Sequence, residues 1–278
     1  MACPDRELEV KEAFQIMTKF WLAAGLASVL ALAGCGGSSE APKTAESAAP
    51  AAGAAAAGAV PDEANGGTIT GKVVFDGTAP TMKTLDMSAT AFCEHAHQGK
   101  PVKSEEVVVN PNGTLKNAFV WVKSGLPADK QWAVPTNAVM LDQNGCMYSP
   151  HVVGVMAGQN LDIKTSDQTN HNIHPMPKDN PEWNETQAPG TPDKDKSFAR
   201  PEIMIPVKCN IHPWMRAYIG VVPHPFFAVT GDDGSYTIKG LPPGTYTVEV
   251  WHEKYGTQDQ QVTVGAKESK TQDFTIKG

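Results

Sequence analysis

Cys209-Asn210-Ile211-His212-Pro213-Trp214-Met215 closes a strand-like run in which Ile203, Ile205 and Val207 alternate with their neighbours. A thiol, an imidazole and a thioether recur there at steps of three. Soft sulfur favours Cu(I) and imidazole nitrogen suits Cu(II), so a site mixing them changes oxidation state with little movement. Two histidines and a cysteine in one plane, with a long axial methionine, make the donor set of a blue-copper electron-transfer centre. The loop lacks one histidine, which must come from a neighbouring strand upstream. Asp167-Gln168-Thr169-Asn170-His171-Asn172-Ile173-His174 offers it. A disulfide half or a buried thiol would account for Cys209 alone. Zinc would account for the cysteine and the histidines, but zinc does not select a thioether.

His171 and His174 compete for that position. In an extended strand their odd separation places them on opposite faces, so one of them points at the metal unless the backbone bulges. Ile173 shares the face of His171 and would line an apolar rim. His174 shares its face with Asn172 and runs into Pro175, where the strand must end. The expected ligand is His171.

These stretches carry a family resemblance. Cys209-x-x-His212-x-x-Met215, with Pro213 after the histidine, resembles the short ligand loop of amicyanin in the cupredoxin family. Thr165-Ser166-Asp167 through His171-Asn172-Ile173 resembles the stretch around the first copper ligand of plastocyanin-like proteins. The likeness covers roughly residues 139–222. It implies a Greek-key β-sandwich with one type 1 copper per chain, held by His171, Cys209, His212 and Met215. Asn172 would tie the His171 strand to the Cys209 loop and so tune the potential, and Pro213 also stands just behind the ligands. Two features depart from the family pattern: the extra His174 and a polar, Pro-rich insert from Pro175 to Pro201, which reads as a long loop beside the metal.

Around this centre the chain is ordinary in composition. It has 278 residues, 41% of them hydrophobic, and a net charge of −7. That length supports one large domain or two small ones with a sizeable core. No basic stripe appears, which argues against nucleic acid as a partner.

The N-terminus reads as a targeting segment. Lys19 precedes the apolar run Phe20 to Leu32, too short to span a bilayer. Leu32-Ala33-Gly34-Cys35 resembles a bacterial lipobox, which implies that Cys35 takes lipid and that residues 1–35 are signal and anchor. Residues 36–66 are Ala, Gly, Ser, Pro and Glu with little to bury, and read as a disordered linker. The protein is therefore expected at the bacterial cell envelope, lipid-anchored, on a periplasmic or extracytoplasmic face.

From Thr68 onward the periodicity is that of strands: Ile69, Val73 and Phe75; Val107 to Val109; Phe119 to Val122; Val139 to Leu141; Val152 to Val155; Leu161 to Ile163. No amphipathic helix follows the signal, and the predicted class is all-β. In the C-terminal part, Gly231-Asp232-Asp233-Gly234 and Leu241-Pro242-Pro243-Gly244 followed by Tyr246 to Val250 resemble the carboxypeptidase-regulatory, transthyretin-like β-sandwich. The opening strand of that fold resembles Ile69 to Val73, far upstream. A discontinuous sandwich is expected: residues 67–135 and 224–278 enclose a cupredoxin-like domain at 136–223. Two unrelated domains in series is the simpler alternative. Insertion at a loop costs little when the inserted ends lie close together.

Five cysteines are present. Cys3 lies in the leader, Cys35 takes lipid and Cys209 takes copper. Cys93 and Cys146 remain as a pair for a disulfide in an oxidising compartment. The rival reading is a second metal site there, with His95, His97 and His151. His224 and His252 read as packing residues.

No acid/base pair, nucleophile triad or phosphate loop accompanies the donors, and four protein ligands leave no open position for a substrate. The function read from the sequence is a non-enzymatic, membrane-anchored one-electron carrier. Its electrons would leave by an exposed edge of His212 flanked by Pro213 and Trp214, where a redox partner protein docks transiently. The alternative is a copper-binding lipoprotein for storage or delivery without redox cycling.

Overall fold

The computed structural model describes residues 58–97 and 99–278. The signal segment, the lipobox with Cys35 and the linker up to residue 57 lie outside the described residues. The rest of the expected linker is ordered. Ala59 bridges Trp132, donating to the Gln131 carbonyl and accepting from the Ala133 N–H at 2.8 Å each. A backbone pair of this kind needs no apolar side chain, which is why composition alone does not reveal it.

The fold is all-β. The alternation of Ile69, Val73 and Phe75 belongs to one strand, Gly67–Asp76, whose alternate residues are buried. Val107 to Val109 forms no strand, and Val109 makes only an isolated bridge to Leu115. Among the described residues one helix, Ala91–Ala96, was not expected. Its six residues are too few to show a helical period in the sequence.

Among the described residues, four sheets stack around separate apolar clusters. Gly67–Asp76 pairs with Ser235–Leu241, Ser269–Thr271 and Phe274–Lys277. Facing it, Gly244–His252 lies between Phe119–Ser124 and Gly256–Val264, with Phe227–Val229 at the edge. The two sheets bury one core that includes Ile69, Val120, Tyr246, Val248 and Phe274. Strands from both ends of the chain thus build one sandwich around the segment between them.

That middle segment makes the second sandwich. Its five-stranded sheet runs in the order Val152–Met156, Arg216–Val222, Glu202–Lys208, His171–Pro175, Glu185–Gln187. The other sheet runs Met147–Ser149, Val139–Asn144, Leu161–Thr165, Lys194–Lys196. The segment Pro175 to Pro201 is therefore more than a loop, since its two short strands finish both sheets. At three residues each they are too short for an alternation to register. Residues 85–102 also depart from the expected boundary: Met87 and Cys93 sit in the core of this second sandwich.

A third cluster joins the two sandwiches. Phe119 and Phe227 stack with centroids 5.7 Å apart against Gly154 and Gly220, which face each other across a parallel strand pair. A Cβ on Gly154 would lie 2.4 Å from the Phe227 ring, and one on Gly220 would lie 2.7 Å from that of Phe119. The rings can rest on the sheet only because these two positions carry no side chain.

Candidate metal centre

The strands Glu202–Lys208 and Arg216–Val222 come into register at Lys208 and Arg216, which leaves residues 209–215 as a tight loop. Its turns are closed by its own backbone. The Cys209 N–H donates to the Met215 carbonyl at 3.3 Å, and the Met215 N–H donates to the His212 carbonyl at 3.0 Å. The His212 N–H donates to Cys209 Sγ at 3.3 Å. Cys209, His212 and Met215 are all buried, and Cys209 and Met215 belong to the core of the second sandwich. The spacing of three reflects this folding back of the loop.

The strand beside it, His171–Pro175, pairs with Lys208 through His174. Asn172 joins strand and loop, its Oδ1 accepting the Asn210 N–H at 3.0 Å while Nδ2 donates to the Glu185 carbonyl and to Asn184. His171 is fully buried, and its Nδ1 stands 3.0 Å from Nδ1 of His212. Cys209 Sγ lies 3.9 Å from that same His212 nitrogen. His174 is turned away to Glu182 and Asn210. The structure brings His171, Cys209 and His212 together with all three potential donor atoms within 4.8 Å of one another.

The donor set fits a single ion. Bonds of about 2.0 Å to nitrogen and about 2.3 Å to sulfur, typical of a first-row metal, span the observed separations with bent angles. Two nitrogens and a thiol, with Met215 buried on the same loop, suit copper better than zinc or a hard cation.

Asp167, which the sequence reading left without a role, orients the histidine. His171 Nε2 donates to Asp167 Oδ2 at 2.8 Å, which directs Nδ1 at the cluster. The same carboxylate accepts the N–H groups of Gly145 and Cys146 at 2.7 Å each. Gly145 and Cys146 form the tip of a two-residue hairpin with positive φ at both positions. That conformation is costly for cysteine and is held by the carboxylate and by a bond to Cys93. The signal for Asp167 was its position four residues before His171, but an exposed turn aspartate reads the same way in sequence.

The electrostatics are reciprocal. Burial alone would push the Cys209 thiol up. Hydrogen bonding from His171 and from the His212 N–H outweighs it and holds the thiol below its usual value. His171 is raised, since Asp167 and Cys209 together overcome its burial. His212 is lowered by burial and by the neighbouring His171. The cluster thus eases loss of the Cys209 proton and disfavours a charge on His212.

Cys93 and Cys146 are bonded, with their Cα atoms 5.5 Å apart. They cannot also serve as thiolate ligands, and the described residues do not gather His95, His97 and His151 into a second cluster. His97 Nε2 contacts the Gly145 carbonyl, His95 contacts the Ala91 carbonyl, and His151 is paired with Glu253 at 2.5 Å. The exposed edge expected of His212 is also absent. Thr90 Oγ1 and Cys93 Sγ lie 3.2 and 3.6 Å from its Nε2, and the residue is 1% exposed. Trp214, half-buried, packs against the His212 ring at 5.0 Å and donates to the Cys146 carbonyl. The disulfide-linked segment covers an edge that the loop sequence alone leaves open.

Residues 217–277 match the family model of the carboxypeptidase regulatory-like domain. No curated protein matches the sequence. Among solved structures, a copper-containing nitrite reductase (NirK) from Thermus scotoductus SA-01 is similar at 19% identity and a TM-score of 0.29. That likeness covers 34% of this chain and 24% of the reductase, so the chain spans about a quarter of that protein. A single-site mutant of amicyanin in the Cu(I) state is 18% identical over 37% of this chain and 97% of its own, with a TM-score of 0.27. A purple cupredoxin from Nitrosopumilus maritimus is 17% identical over 30% of this chain and 98% of its own, with a TM-score of 0.26.

Proposed function

We propose that the protein is a one-electron carrier with a single type 1 copper, bound by His171, Cys209, His212 and Met215. The observation that supports it is the convergence of two imidazole nitrogens and a thiol, all buried, with the Met215 side chain closed into the same core. Copper would supply the one-electron couple. The chain supplies the constraint: Asp167 fixes the His171 ring, Asn172 locks strand to loop, and the backbone closure of residues 209–215 fixes Cys209 and His212. Donors held this way need little rearrangement when charge changes, which suits electron transfer better than metal hand-over. No acid, base or open coordination position is assigned, so the proposed role is non-enzymatic.

The lipobox at Cys35 adds location. The soluble head would be tethered to the bacterial envelope on an extracytoplasmic face, since lipid chains contribute about 0.8 kcal/mol per buried CH₂. Cys35→Ser is expected to release the protein from membranes.

The test of the centre is Cys209→Ser. The copper-loaded protein is expected to show an intense visible charge-transfer band that vanishes in the variant while the β-fold, read by circular dichroism, is kept. Copper retained through repeated reduction and oxidation supports the carrier; copper lost on reduction supports storage or delivery. A blue Cys209→Ser variant would overturn the ligand assignment.

A further inference from the structure

The covering of His212 leaves open where a partner reaches the donor cluster. The disulfide ties the helix Ala91–Ala96 to the hairpin turn at Cys146, and Thr90 and Cys93 occupy the Nε2 edge of His212. A protein docking over that face meets the helix, not the ligand.

Elsewhere on the loop, a cleft of about 280 Å³ has Cys209 itself in its wall. Met176, Val207 and Pro213 give it an apolar lining, and Lys208 and Arg216 stand at the same cleft. Lys208 lies directly opposite Arg216 on one neighbouring strand and His174 on the other. Residues opposite one another in a sheet share a face, so three basic side chains form a row across the sheet beside the ligand cysteine. His174 is paired with Glu182, but among the described residues neither Lys208 nor Arg216 has an acidic partner within ion-pair distance. The lining of the cleft itself thus holds two cations and no carboxylate in a chain of net charge −7, with Glu105, Glu106 and Glu253 in a neighbouring pocket that Arg216 also borders.

We propose that this cleft, and not the His212 edge, is the docking surface for the redox partner, and that the partner is a protein presenting carboxylates around a small apolar tip. The inference rests on the electron-carrier reading. Unpaired cations side by side repel each other and are relieved by an acidic partner, which they also steer during approach. The apolar lining suits a weak, short-lived complex of small area. A tip seated there is in contact with the residue that carries the ligand sulfur.

The probe is hexacyanochromate(III), a redox-inert trianion, added to the metal-free full chain. Its paramagnetism is expected to broaden the amide resonances of Val207, Lys208, Cys209 and Arg216. Lys208→Glu with Arg216→Glu should weaken that broadening about tenfold, and the milder pair Lys208→Gln with Arg216→Gln should weaken it part-way, in case charge reversal disturbs the sheet. In the copper-loaded protein the charge-reversed pair should slow oxidation by hexacyanoferrate(III) about tenfold and leave oxidation by a cationic tris(phenanthroline)cobalt(III) unslowed. Broadening centred on Thr90 and Glu94, broadening unaffected by both pairs, or none at all overturns the proposal. A chain that binds no copper fails the carrier reading alone, because the metal-free measurement still reports on the cleft.

Discussion

Cys93 Sγ lies 3.6 Å from Nε2 of His212, so a disulfide bond touches one candidate ligand directly. Its other half reaches the second candidate through a carboxylate. The Cys146 N–H donates to Asp167, and Asp167 accepts from His171. One covalent link therefore helps position both histidines and covers the edge of one. The hairpin tip that carries Cys146, which looks remote in sequence, forms the back wall of the site.

Removing the link tests that role. The cysteines are 53 residues apart, and closing a loop of that size in the unfolded chain corresponds to about 4 kcal/mol in the chain-entropy picture. Cys93→Ser with Cys146→Ser is expected to lower the unfolding free energy by about 2–4 kcal/mol, read from urea denaturation. In the metal-free protein, alkylation of the otherwise buried Cys209 thiol should become faster. Unchanged stability and unchanged alkylation would show that the bond is incidental.

Asp167→Asn removes the charge behind His171 while keeping the shape. The imidazole loses the partner that holds its tautomer, and copper affinity should fall by about 10- to 100-fold in chelator competition. The carboxylate also caps two N–H groups of the hairpin, so a modest loss of stability should accompany it. Wild-type affinity in this variant would reduce Asp167 to a turn residue.

The pH response is expected to come from the regulatory-like sandwich. Burial pushes His252 down to about 4, and its Nδ1 accepts the Lys254 N–H, which only an unprotonated nitrogen can do. His224 is also lowered by burial, and its Nδ1 accepts from Phe226. The unfolded chain takes up protons near pH 6.5, before the folded one does, so stability present above that pH is lost as the pH falls toward 4. His252 alone should account for about 3 kcal/mol of that loss. His151 acts in the opposite sense: Glu253 outweighs its burial and raises it, so its contribution is full below its unfolded value and fades at higher pH. Unfolding curves of wild type and His252→Gln at pH 7 and 4.5 measure the difference, and an equal acid-side decline in both would remove His252 as its source.

What the sequence disclosed was what repeats or clusters locally. Ile69, Val73 and Phe75 alternate over a long strand, and Cys209, His212 and Met215 share one loop, so both were legible. The strands Glu185–Gln187 and Lys194–Lys196 are polar and short, held by the sheets on either side and by Glu185 pairing with Lys194 and Lys196, and they showed no period of their own. Asp167 and the helix over His212 escaped for another reason. Their roles depend on contacts between residues such as Thr90 and His212, 122 positions apart, which no local pattern records. The hidden state of His212 followed from that omission.

The two histidines of the first-ligand strand give the most discriminating comparison. His171 is buried with its Nδ1 in the donor cluster, whereas His174, on the same strand, is engaged by Glu182 and Asn210. His171→Gly should lose the visible band and recover it when imidazole is added, because the deletion leaves a gap the size of the missing ring, with Asp167 positioned to accept the N–H of the replacement. His174→Gly should keep the band, since its contacts tie the Asn210 end of the loop to the surface and reach the donors only indirectly. A small shift in potential is expected there, read by equilibrium titration. The reverse pattern would move the ligand to His174, and loss of colour in both would mean that the strand bulges between them when copper is bound.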